Sequence, residues 1–178
     1  MPPSSTRRLR QRTGRRSGIL ICTPRRKATS STSAGKIHVG VDRDTKLVHS
    51  LVTTPANVHD SNTVGELLHG GESGVWGDSA YMGKTEEING KAPNAADNTH
   101  RRSTRNRKLT EEETERNRML SRTRARVEHV FGVAKNIFGY RKVRYKGLVK
   151  NTNFIHVLFA LSNLYMVRRD LLSLPAGA

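Results

Sequence analysis

The sequence predicts an α/β domain, and three stretches carry that prediction. Residues 36–54 alternate as paired strands do. A long helix with a capping box starts at Thr110. A second helix-length apolar segment fills 151–172. The chain has 178 residues, enough for one domain with a core of its own.

In "KIHVGVD" the side chains of Ile37, Val39 and Val41 share one face, as in a half-buried strand. "DRDTK" (42–46) has turn chemistry, with Asp42 and Asp44 as turn residues, and "LVHSLVTTPA" (47–56) is a second β-rich run that Pro55 ends. The two make a hairpin. "NVHDSNTVGELLHGG" (57–71) reads as a helix capped by Asp60 or Ser61 and stopped at Gly70–Gly71. "SGVWGDSAY" (73–81) is a short apolar strand that runs into an acid, Asp78, and small residues. Residues 89–109 form a polar, basic loop. "TEEE" places Thr110 at the N-cap and Glu113 at N3, with acids at the positive end of the helix dipole. That helix runs to about Phe138, where Gly139 follows. Residues 140–150 are a basic connector. The segment 151–172 is apolar nearly all round, which predicts a buried helix. The expected order is β-β-α-β-α-α.

Charge narrows the function. Lys and Arg number 32 against 15 acids, a net charge of +17, which favours a polyanionic partner such as double-stranded DNA. Nine of these cations lie in residues 1–35, which hold no acid and little periodicity beyond "GILICT". That segment reads as disordered and basic. Residues 36–172 are the domain, and 173–178 a tail. One cysteine, Cys22, excludes a disulfide framework and a cysteine zinc site. No apolar run is long enough to span a bilayer, and the N-terminus lacks a signal-peptide core. A cytoplasmic, nucleoid-associated protein without membrane partners is expected.

On the long helix, Ser121, Arg124, Glu128 and Lys135 fall within roughly 60° of arc, beside an apolar face of Leu120, Val127, Val130, Phe131, Ala134 and Phe138. Spacing alone permits an Arg124–Glu128 ion pair on a solvated stripe. It also permits a site, if a second acid converges on Glu128. Asp78 is the best candidate, because α/β folds place catalytic groups at the ends of central strands. Carboxylates sharing Mg²⁺ or Mn²⁺ activate a water or a 3′-hydroxyl for attack on a phosphodiester.

"KIHVGVDRDTKLVHSLVTTPANVHD", "GVWGDSAYMG" and "NRMLSRTRARVEHVFGVAKNIFGYRKVRYKGLVKN" resemble, in this order, bacterial insertion-sequence transposases of the IS5 type, within the IS4-like DDE group. The resemblance covers residues 36–172. It implies an RNase H-like fold, an Asp-Asp-Glu triad holding two metal ions, and cleavage and strand transfer at transposon ends and target DNA. It puts the second Asp on Asp78 and the Glu on Glu128, both as metal ligands. In the signature Tyr, two residues, Arg, three residues, Glu, six residues, Lys, the chain supplies Arg124, Glu128 and Lys135. Ser121 stands in the Tyr position. Arg124 and Lys135 would contact DNA phosphates.

The first Asp has no match. "MPPSSTRR" resembles the segment that follows it in the family, so the first strand would precede Met1, and Asp42 is not expected to replace the acid. Residues 19–34 correspond to a family-like run read one base out of frame, so residues 7–35 are expected to be out of frame. The expectation is a truncated, inactive copy. It would act as a homo-oligomer, or beside an intact transposase. The alternative is a non-catalytic DNA-binding protein with phosphate contacts from loops 101–108 and 140–150.

Overall fold

A computed structural model of the chain describes residues 18–22 and 35–173. Five strands form one mixed sheet: β1 (Ile19–Cys22), β2 (Gly35–Asp42), β3 (Val48–Pro55), β4 (Gly74–Trp76) and β5 (Ala96–Asp97). Their spatial order is β3-β2-β1-β4-β5. The first three pair antiparallel, and β1 pairs parallel with β4, as β4 does with β5. The helices are α1 (Val64–Leu67), α2 (Thr85–Lys91), α3 (Glu111–Asn136) and α4 (Leu148–Leu172).

The sheet is covered on both faces because its strands carry apolar side chains on both. Leu20, Ile37, Val39 and Val41 pack with Val127, Val130 and Ala134 of α3 and with Ile155, Leu158 and Phe159 of α4. On the other face Ile19, Ile21 and Val75 pack with Val64 and Leu67 of α1 and Ile88 of α2. Burying each of the larger of these side chains contributes roughly 1.5–3 kcal/mol. Gly40 is required where two strands crowd. A Cβ there would lie 2.0 Å from Ser50 Oγ and 2.6 Å from Ile19 Cδ1.

β1 is the main correction. The sequence reading treats residues 1–35 as disordered, yet Ile19–Cys22 fill the centre of the sheet between β2 and β4. Ile19, Leu20 and Ile21 are fully buried. The short run "GILICT" is the one patterned stretch of that basic segment, but four residues alone do not mark a strand, and pairing with β2 and β4 makes them one. The basic reading of 1–17 and 23–34, and the tail 174–178, lie outside the described residues.

The hairpin forms as expected, with Lys46 left-handed in its turn (φ 62°). Asp42 is a turn residue: its Oδ1 accepts from the backbone N–H of Asp44 (3.0 Å) and Thr45 (2.7 Å). The predicted helix over 57–71 is shorter. A 3₁₀ turn, Asp60–Thr63, leads into α1, and His59 caps it through Nδ1 rather than Asp60 or Ser61. The "loop" at 89–109 contains the end of α2 and all of β5, elements too short to show without the strand they dock on.

α3 has the predicted capping box, with Thr110 Oγ1 accepting from Glu113 N and Glu113 Oε2 from Thr110 N, both at 3.2 Å. α4 departs from expectation. It buries one face only, through Ile155, Leu158, Phe159 and Ser162, while Val157 and Leu164 remain 59% and 55% exposed. The described residues supply no further layer outside it. Asn163 ties α4 to β3, accepting from Val48 N (2.9 Å) and donating to Val48 O (2.7 Å).

Candidate functional site

β4 ends at Trp76, and the backbone turns sharply through Gly77, where a Cβ would crowd Tyr81 at 3.1 Å. Asp78 follows as the N-cap of a 3₁₀ turn, Ser79–Tyr81. Its Oδ1 accepts from Ala80 N at 2.9 Å, and buried Tyr81 anchors the turn. Capping therefore occupies one carboxylate oxygen. The other, Oδ2, lies 4.0 Å from Nη1 of Arg124 on α3. The side chains of both residues keep about a third of their surface exposed, at 38% and 27%.

This pairing changes the reading of the α3 stripe. Arg124 forms its ion pair with Asp78 across the fold rather than with Glu128 one turn along its own helix. Glu128 is exposed and has no ion pair among the described residues. A helix rise of 1.5 Å per residue sets it roughly 6 Å further along α3 than Arg124. Lys135 is exposed in the last turn, where a cation suits the negative end of the helix dipole. Ser121 spends its hydroxyl on its own helix, donating to Asn117 O at 2.9 Å. The fold thus brings Asp78 to Arg124, and no hydrogen bond or ion pair ties Glu128 or Lys135 to them.

One residue at the site was missed by sequence reasoning. His100 lies just beyond β5 and donates its backbone N–H to Gly77 O at 3.1 Å, which sets it beside the Asp78 turn. Its Nε2 is buried and without a hydrogen-bond partner among the described residues. Burial first, and then the nearby Arg124 and Arg116 guanidiniums, hold its pKa below the ordinary 6.5, against an opposing pull from Asp78. Arg116 pins the same segment, donating to Thr99 O (3.1 Å) and Asp97 O (3.3 Å). No local motif marks His100, because its neighbours lie more than 15 residues away in sequence.

Compared with models of known protein families, the chain matches the transposase DDE domain over residues 12–164. The chain belongs to the DDE transposase family. The match spans β1 as well as the strip that carries Asp78, Arg124 and Glu128, and the mixed sheet with its four helices is consistent with an RNase H-like fold. Family membership implies a DNA substrate in general and the general use of a divalent metal.

The residues present do not make a full metal site. Two-metal phosphoryl chemistry needs several hard oxygen donors converging on one spot. Among the described residues, no group of three or more Asp, Glu, His or Cys does so. β1, the central strand beside β4, reads Ile-Leu-Ile-Cys and offers no carboxylate. Asp78 faces a guanidinium instead. Asp78 and Glu128 by themselves therefore supply too few donors for a metal cage among the described residues, and a cation, Arg124, stands beside Asp78. No helix of the described residues is long and apolar enough to cross a membrane.

Proposed function

We propose that this DDE domain derives from an IS5-type insertion-sequence transposase and retains DNA binding without cleavage or strand transfer. Asp78 and Glu128 occupy the second and third positions of the triad, the positions at which an intact relative holds Mg²⁺ or Mn²⁺. Arg124 and Lys135 contact the phosphates of transposon-end DNA. The observation that carries the reading is the contrast between β1 and α3. The central strand lacks an acid, whereas the helix beside it keeps Arg124, Glu128 and Lys135 on one stripe.

The same contrast favours a role as a competitor. A chain that binds ends without cutting them would occupy sites that an intact transposase needs. The test is a strand-transfer assay with Mg²⁺, a target duplex and matching terminal repeats. Binding with no joined product is expected, and binding unchanged by Asp78→Ala would mark the interaction as non-catalytic. Robust joining by this chain alone refutes the proposal.

A further inference from the structure

The longest acid-free stretch of the described chain runs from the last two turns of α3, across the α3–α4 loop, and through most of α4. From His129 to Arg169 there are eight Lys or Arg and no Asp or Glu. Five of them, Arg141, Lys142, Arg144, Lys146 and Lys150, lie on the α3–α4 loop and the first turn of α4, all exposed. None forms an ion pair among the described residues.

This loop is built rather than slack. It leaves α3 through Gly139 and enters α4 through Gly147, both left-handed, with φ of 63° and 86°. The side chain of Asn151, in the first turn of α4, clasps it at three points. Nδ2 donates to Tyr145 O and to Gly147 O, each at 2.6 Å, and Oδ1 accepts from Tyr145 N at 3.2 Å. Phe154, one turn on, packs against both ends, with Tyr140 at 5.8 Å and Tyr145 at 5.7 Å between ring centroids. The Arg144 guanidinium lies 5.5 Å from the centre of the same ring. Like charges repel, so holding five cations on a fixed backbone costs stability unless an anion offsets it. A fixed row of unpaired cations suits a repeating polyanion, since phosphates recur about every 3.4 Å along a DNA strand.

We propose that the α3–α4 loop is a sequence-independent binding surface for the phosphate backbone of duplex DNA, with Arg144 and Lys146 as contacts and Asn151 as the positioning residue. This rests on the DNA-binding reading above and adds a second point of contact. Arg124 and Asn136 are separated by about 18 Å along α3, at 1.5 Å per residue. That is about five base pairs, so a duplex lying along α3 is long enough to span from Arg124 to the end of the helix where the loop begins.

The test uses the full chain and a labelled 20-base-pair duplex of arbitrary sequence, with binding followed by anisotropy across a KCl series. Neutralising two phosphate contacts with Arg144→Gln and Lys146→Gln should make the slope of log K against log salt shallower by about 1.8. The change should be the same for unrelated sequences. Asn151→Ala should keep the slope, since every charge remains, yet bind roughly 2- to 10-fold more weakly because the loop must be ordered on binding. If Asn151→Ala does not fold by circular dichroism, the surface pair Arg144→Gln/Lys146→Gln carries the test. An unchanged slope for that pair, with a shallower one for Arg101→Gln/Arg102→Gln, overturns the loop and spares the DNA-binding reading. No binding by the parent chain overturns both. Preferential binding to phosphatidylserine vesicles over the duplex assigns the loop to lipid and also overturns the proposal.

Discussion

Leu20 offers the sharpest test of the fold, because a disordered basic segment and a central strand predict opposite results for it. Its side chain is fully buried, packed among β2, α3 and α4. Truncating such a leucine to alanine costs the transfer free energy of the lost methyls plus the cavity left behind, about 2–5 kcal/mol. A domain of this size has about 5–15 kcal/mol in total, so the loss is large. With a urea m-value of about 2 kcal/mol per M, a loss near 3 kcal/mol moves the midpoint down by about 1.5 M. Trp76 is the single tryptophan and pairs in register with Leu20 across β1 and β4, so its fluorescence reports this junction directly. Leu172, 84% exposed near the end of α4, serves as the control, and Leu172→Ala should stay within about 0.5 kcal/mol. If Leu20→Ala melts with the Leu172→Ala control, β1 does not belong to the sheet and the architecture is wrong.

Other consequences follow from single contacts. Thr110→Ala removes the N-cap of α3 and should cost about 1 kcal/mol, read as a lower urea midpoint. Burial lowers the His38 pKa below its ordinary 6.5, so the unfolded chain takes up this proton before the folded one does. Its contribution is therefore present above pH 6.5 and lost as pH falls through the folded value, and His38→Gln should flatten that part of a stability–pH curve. Arg124→Gln should change stability by less than about 1 kcal/mol, since the pair with Asp78 is partly exposed. The same variant should raise the His100 pKa towards 6.5 in an NMR titration, because a repelling charge is gone. An unmoved His100 resonance would separate it from the Arg124–Asp78 pair.

The sequence by itself determined what local rules encode. Alternation fixed the β2–β3 hairpin, and the Thr110–Glu113 box fixed the start of α3. Helical spacing put Arg124, Glu128 and Lys135 on one stripe. The motif order led to the DDE family, which the match over 12–164 bears out. Other features depend on partners distant in the chain, and only the tertiary structure decided them. Ile19–Cys22 is a strand because β2 and β4 flank it, and no property of four residues says so. Spacing alone permitted an Arg124–Glu128 pair, and packing α3 over β1 and β4 brought Arg124 to Asp78 instead. His100 joined that pair through a single backbone bond to Gly77. One face of α4 stayed in solvent because burial depends on which layers lie outside a helix, and hydropathy along its length carries no such information. Local sequence sets which elements form, whereas the site is a matter of which of them meet.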